Sequence, residues 1–499
     1  MTESRPGSGI AGVKQQPVLT HFPSHVLATS RRRHQAAIRL QRRTLATQSH
    51  SGYGVMFEDV LPSSVLCELD PTRRQRHFGH LPGFWAWLAQ ILEGNASCSK
   101  ALGFIQSWCA ARGLPVPASD TGAYCRARAR LDEEFLNSIA SRIDAALQAR
   151  THSSDLWNGF TVKAIDGSSG KLMDTPANQE AYPQPSVQRP GCGFPVMAVS
   201  GLLNLSHGGW EAFVTAPGNA HDLAAGTKLI EHLGEGDLLL ADRAYCAYRF
   251  ISAIRAKGAH AVIRLHQQRE AVLDWRKGRK IGPHERLVIW RRPMFSSVSG
   301  TLPREEWEAL PEEMAVRLIR FNYEDRSGCK RPLTVVTTLT DARCDGVELH
   351  ALYVRRWEIE LRLRDIKTTL GFEMIAARTP EMAHKTVLML RIAYNLLRLL
   401  MQRAAAQAGQ TVGSVSFKGV LDLVTTMHES FRHRAGMPRR RKAHLGLLIE
   451  MAACRLIDVR PGRKEPRAVK RRPKPFALLT APRREFVEIP HRSTYRKPA

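Results

Sequence analysis

Three observations predict an α/β fold for the central part of this chain, with helical regions on either side. Two apolar runs, GFTVKAID (159–166) and GDLLLADRAY (236–245), read as strands that each run into an aspartate. Between them FPVMAVSGLLNL and WEAFVTAP, separated by SHGG, read as a hairpin. AHDLAAGTKLIEHL and YRFISAIRAKG then carry helical spacing. Strand, hairpin, helix, strand, helix is the order of a mixed α/β sheet.

The first 55 residues hold one acid, Glu3, and six arginines between Arg31 and Arg43, so a disordered basic arm is expected over 1–55. GSGIAG in this arm matches a dinucleotide fingerprint only formally, because it follows no strand and opens no helix. Residues 56–150 read as a helical domain. Within it, KALGFIQSWCAARGLPVPASDTGAYCRARARL reads as helix, Gly/Pro turn and helix, with Ser119 and Asp120 as N-caps. The second helix carries Arg126, Arg128 and Arg130, which fits a helix that meets DNA, or equally a helical hairpin with solvated arginines.

The α/β domain is expected over 151–380. Short β runs, RLVIWRRP, MAVRLIRFNY and PLTVVTTL, mark a β-rich insertion at about 266–340. Helices return from about 346, and 381–499 reads as C-terminal helices with a basic tail. Residues 430–474 hold 15 basic side chains against three acids.

Bulk properties narrow the function. The 499 residues carry 73 Lys+Arg against 46 Asp+Glu, a net charge of +27, which favours a polyanionic partner and nucleic acid first. No run approaches the ~18 apolar residues of a spanning helix, so a membrane is not the expected partner. Nine cysteines show no C-x-x-C pair or finger-like spacing, and a reducing cytoplasm is the expected compartment. His221 and Asp222 lack a partnered serine and read as a cap or core contact.

The stretch YVRRWEIELRLRDIK (353–367) carries the chemistry. Taken as one helix at about 100° per residue, Leu352, Ile359, Leu363, Ile366 and Leu370 form an apolar stripe. Arg355, Glu358, Arg362 and Asp365 form an ordinary solvated face. Tyr353, Arg356, Glu360 and Lys367 share a third strip, beside the core. Glu360 therefore joins Asp166 and Asp242 as a third acid within reach of the strand ends. Three converging carboxylates repel unless a cation balances them. Oxygen ligands suit Mg²⁺ or Mn²⁺, and a two-ion site on a basic chain points to phosphodiester chemistry on nucleic acid.

The spacing Tyr353-x₂-Arg356-x₃-Glu360-x₆-Lys367 resembles the Tyr-Arg-Glu-Lys signature of the fourth insertion-sequence family of bacterial DDE transposases. AIDGSS, ADRAY, AYNLLR and SDTGAYCRARARL are similar to that family as well. The resemblance covers about residues 65–490. It implies an RNase H-like catalytic core with a β insertion before the third acid. It further implies Asp166, Asp242 and Glu360 as a catalytic, metal-binding triad and Tyr353, Arg356 and Lys367 as contacts to the phosphates of a transposon end. Such enzymes cut with water, close a hairpin, reopen it and join the ends to target DNA. Double-stranded DNA and a second copy in the DNA complex are the implied partners. An aromatic of the β insertion would support a flipped base, with Trp290 the candidate. A nuclease or resolvase without strand transfer, and a non-catalytic DNA-binding regulator, are the alternatives.

Overall fold

The computed structural model describes residues 35–36, 39, 52–70, 78–111, 113–220, 222–298, 302–324, 329–341, 344–458 and 478–486. Most of the basic arm, His221 and 459–477 of the basic tail lie outside them. The chain divides into two compact units. One holds the described residues up to Ala146 together with Gly419–Ala452, and the other holds Leu147–Lys418 with the residues from Ala453. This differs from the boundaries read from sequence. The long helix Pro380–Ala408 belongs with the sheet, whereas residues 419–452 belong with the N-terminal helices.

The larger unit is built on strands β1 (Thr161–Leu172), β2 (Val196–Asn204), β3 (Trp210–Pro217), β4 (Asp237–Ala241), β5 (His260–Arg264), β6 (Arg279–Gly282), β7 (Glu285–Arg291), β8 (Glu313–Glu324) and β9 (Lys330–Thr337). They form one mixed sheet in the order β3-β2-β1-β4-β5-β9-β8-β7-β6, and β10 (Met374–Ile375) adds to the end of β1. β1, β2 and β3 are antiparallel neighbours, while β4 and β5 run parallel to β1. β6 to β9 are the β-rich stretch between residues 266 and 340, and β9 joins them to β5.

β4 is buried along its whole length, as a central parallel strand must be. One face of the sheet is covered by the helices Asp222–Leu229 and Tyr248–Ala256, whose Leu229, Phe250, Ile251 and Ile254 pack on Leu239, Ala241 and Ile263. The helix Pro380–Ala408 packs on β3. It starts at Thr379, whose side chain accepts from the Met382 amide, and ends at Gly409 in the left-handed conformation. Its buried Asn395 and Arg391 meet the backbone of Trp210: Asn395 Oδ1 accepts from the amide at 2.8 Å and Arg391 Nε donates to the carbonyl at 2.8 Å. Buried Lys163 ties β1 to β3, across β2, through Glu211 at 2.8 Å and to the adjacent β4 through Asp237 at 2.9 Å.

In the smaller unit the helices His80–Leu92, Cys98–Ala111 and Gly122–Arg130 enclose a core that includes Ala86, Ile105, Trp108 and Tyr124. The helix–turn–helix order expected from sequence is present, although the N-cap is Thr121 rather than Ser119 or Asp120. The three arginines part company. Arg126 and Arg130 are exposed, but Arg128 is buried, donating to Gln90 Oε1 at 3.2 Å with its guanidinium over Trp87 and Tyr124. Residues two apart on a helix point about 200° from each other, so 126, 128 and 130 do not share a face. The expected basic arm also ends early. Gly52–Met56 is helical, and Tyr53 is buried with its ring stacked on His428 at 4.4 Å.

Candidate active site

Parallel register sets the first two acids side by side. β1 pairs with β4 from Thr161↔Asp237 to Ala164↔Leu240. Asp166 and Asp242 each lie two residues beyond that last pair, so they stand at the same level and on the same face; β1 does not end at Asp166 as the sequence suggested but runs on to Leu172, paired with β2. Asp166 closes a local bond, its Oδ1 accepting from the Gly167 amide at 2.8 Å. Asp242 stands just past β4, at the head of the short 3₁₀ turn Arg243–Tyr245.

The third acid arrives on a helix that is not continuous. Helix Gly346–Val354 packs on β5 and β8, and helix Trp357–Arg364 packs on β1. Between them the amides of Arg355 and Arg356 bond to the carbonyls of Leu352 and Tyr353, and those of Glu358 and Ile359 to Arg355 and Arg356. These i→i−3 bonds tighten the chain for one turn. A π-helical turn, Asp365–Thr369, follows and carries Lys367. The single straight helix expected from sequence is therefore three segments. Its apolar stripe still holds, since Leu352, Ile359, Ile366 and Leu370 are buried. The expected solvated face does not: Arg362 is buried, and Arg355, Glu358 and Asp365 are half-buried.

Arg356 lies between two of the acids. Its Nη1 is 3.5 Å from Asp166 Oδ2, and its Nη2 is 3.5 Å from Glu360 Oε1. The guanidinium is only 7% exposed, and the ring of Trp357 stands 5.1 Å from it. Burial pushes the Asp166 carboxyl above the usual carboxylate range, with the Gly167 amide and Arg356 opposing and the charges of Glu360 and Asp242 adding to the rise. Asp166, Asp242, Glu360 and Arg356 therefore feel one another electrostatically. Tyr353 is 5% exposed, and burial takes its hydroxyl up to about 12, with Arg356 opposing and Asp242 adding. Lys367 is half-buried on the π turn.

The donor set can be tested for an ion. The three side chains offer only oxygen, the choice of a hard divalent cation. Their like charges already raise Asp166, and positive charge already stands between Asp166 and Glu360. In chemistry and electrostatics the residues fit such an ion. Among the described residues, no three His, Cys, Asp or Glu side chains stand as a ready metal cluster. The Arg356 guanidinium takes that position between the two carboxylates.

Two residues escaped the sequence reading. Arg264 ends β5 one residue beyond Ile263, the partner of Ala241, so it leaves the sheet beside Asp242 and acts on Tyr353. The signal was available: it closes an apolar run, as Asp166 and Asp242 do. Trp357 is 58% exposed, a large aromatic in water beside the acids. Trp290 is 9% exposed, faces Met314 across β7 and β8, packs in the sheet's core cluster, and has Arg269 4.4 Å from its ring.

Comparison with known proteins agrees with this geometry. Residues 157–396 match the family described as Transposase DDE domain, a span that holds all three acids and most of the sheet. Over 378 residues the chain is 29% identical to Transposase InsG for insertion sequence element IS4 of Escherichia coli (strain K12), covering 72% of this chain and 78% of that protein. With the mixed sheet, the match fits an RNase H-like core and defines a DDE transposase, an enzyme class that depends on divalent metal and acts on DNA. Within that class the chain is similar to a transposase of insertion sequence element IS4. Among the described residues, no helix is long and apolar enough to cross a membrane.

Proposed function

We propose that this transposase cuts its element free and joins it to target DNA through a hairpin intermediate, using Asp166, Asp242 and Glu360 as metal-binding catalytic residues. What supports the reading is that Asp166 and Asp242 lie level on adjacent parallel strands and that Arg356 stands 3.5 Å from both Asp166 and Glu360. When bound, Mg²⁺ or Mn²⁺ polarises the phosphorus oxygens and acidifies the attacking water or hydroxyl. The three carboxylates hold it. Tyr353, Arg356 and Lys367 bind phosphate oxygens of the element end and align the reacting phosphorus. Arg356 suits both duties, because its planar fork matches carboxylate and phosphate alike. Water cleaves first and leaves a 3′-hydroxyl. That hydroxyl attacks the opposite strand, the hairpin is reopened, and the freed 3′-hydroxyl attacks target DNA. Exposed Trp357 is placed to stack on an unpaired base.

The N-terminal helices supply sequence-independent grip, with Arg126 and Arg130 as phosphate contacts and Arg128 as packing. A homodimer on paired ends completes the reading.

The test incubates the protein with Mg²⁺ and DNA carrying the ends of its own element. Cleavage should be lost in Glu360→Gln while DNA binding is retained. Undiminished cleavage in that variant would sink the assignment. Cleavage without joined product would favour a nuclease instead.

A further inference from the structure

The face of the Trp357–Arg364 helix turned away from Glu360 borders a cavity of about 600 Å³. Glu358 and Arg362, both of which line it, lie about 160° from Glu360 around that helix at 100° per residue. Its other walls include the helix Pro380–Ala408, the β2–β3 turn, the segment around Val412–Phe417, and Asp155 of the turn ahead of β1. Five basic side chains line the cavity against three acidic ones.

The charges are unevenly satisfied. Glu358 is held between two arginines, accepting from Arg355 Nε at 2.9 Å and Arg362 Nη2 at 3.4 Å. Asp365 accepts from Arg398 Nη2 at 3.3 Å. Arg398 is 0% exposed, and its guanidinium lies over the rings of Tyr394 and Phe417. Among the described residues, the Nε–H groups of both Arg362 and Arg398 are buried with no acceptor. A buried donor left unmade costs about 1–3 kcal/mol, and more when charged. Burial and the neighbouring Arg362 push the Arg398 guanidinium down to about 10, so it stays charged at neutral pH. Two fixed, planar, under-satisfied guanidinium groups facing one cavity match a tetrahedral oxyanion that accepts several donors at once. Leu205, Val412 and Phe417 give the same cavity an apolar wall, and its size is that of a small-molecule site.

We propose that this cavity binds a phosphate group carried by a nucleotide, the phosphate on Arg362 and Arg398 and the sugar or base against the apolar wall. The site is separate from the acids and does not depend on their assignment. The nucleotide is either free or part of a DNA strand, and the two sources are separable.

The test is calorimetric titration of the full-length protein with deoxyadenosine monophosphate, without divalent metal and at fixed ionic strength. Saturable one-to-one binding is expected, weakened at least tenfold in Arg362→Gln. Gly413→Leu should do the same without changing charge, since a Cβ at Gly413 stands 3.7 Å from Arg362 Nη2 and the backbone there is not left-handed. Thermal melts report folding of each variant independently. Arg276→Ala, an exposed arginine of the β insertion, should bind as wild type. Displacement of the monophosphate from the wild-type protein by duplex DNA, with duplex binding itself weakened in Gly413→Leu, identifies the source as a DNA strand. Retention of the monophosphate beside bound duplex identifies a free nucleotide. No binding by the wild type at millimolar concentration, or equal binding by both pocket variants, overturns the proposal.

Discussion

At the scale of single residues, Asp166 shows what the candidate site costs. Its carboxyl is raised because burial, Glu360 and Asp242 outweigh the help of the Gly167 amide and Arg356. The folded protein therefore holds the proton more tightly than the unfolded chain. Below the ordinary carboxylate range both states are protonated and nothing is lost. As pH rises through the window from that range to the raised folded value, ionisation of Asp166 destabilises the fold, and above it the penalty is full. Asp166→Asn should thus raise the melting temperature at neutral pH, with the gain vanishing near pH 3. Its amide oxygen can still accept from Gly167, so that contact is kept. A lower melting temperature at pH 7 would show that the Arg356 contact outweighs burial. At this scale the sequence was most legible where residue type decides the outcome. Aspartates that close two apolar runs, and a glutamate one helical turn after an arginine, are chemical statements. It was least legible where packing chooses between identical residues. Arg126 and Arg128 look alike in GAYCRARAR, yet only one is exposed, because Tyr124 and Gln90 claim the other.

At the scale of elements, the β insertion does more than lengthen the sheet. Buried Arg317 on β8 binds Glu285 of β7, with Nε 2.9 Å from Oε2, and donates Nη1 to the carbonyls of Asp341 and Cys344 at 3.1 and 2.7 Å. Those carbonyls lie just ahead of the Gly346–Val354 helix that ends beside Arg356. The insertion therefore fixes where the acid-bearing helices begin. Arg317→Ala leaves the half-buried Glu285 carboxylate and two carbonyls without their donor and should cost roughly 1–3 kcal/mol in chemical denaturation, while Arg317→Met with Glu285→Leu should recover most of it. Equal losses in the single and double variants would refute the pairing. Elements also show why a helical wheel read from sequence succeeded only in part. A wheel assumes one continuous 3.6-residue period. The i→i−3 bonds at Arg355–Ile359 and the π turn at Asp365–Thr369 tighten and then loosen that period. The apolar stripe survived because Ile359, Ile366 and Leu370 each found the core. The charged face failed because tertiary packing laid the long helix Pro380–Ala408 and its Arg398 against it, and no local pattern announces a partner over thirty residues away.

At the scale of the whole molecule, a net charge of +27 makes affinity for DNA a property of salt as much as of contacts. Each phosphate neutralised by a lysine or arginine releases condensed counterions, so log K falls with log salt by about 0.9 per contact. On the proposed reading Arg126 and Arg130 are two such contacts, both exposed on the Gly122–Arg130 helix. Replacing both by alanine should reduce the magnitude of the salt slope by about 2. Arg128→Ala should behave in the opposite way. It removes a charged hydrogen bond to Gln90 and two ring contacts from a buried site, and is expected to cost roughly 1–3 kcal/mol of stability. Among molecules that remain folded, its salt slope should match that of the wild type. Binding isotherms on duplex DNA between about 50 and 200 mM salt, run beside melts of the same preparations, separate the two effects. A slope that is unchanged in the Arg126/Arg130 pair would move the DNA contact away from this helix. The excess charge would then have to act from other surfaces, with the basic runs RRRK and KRRPK as the first to remove.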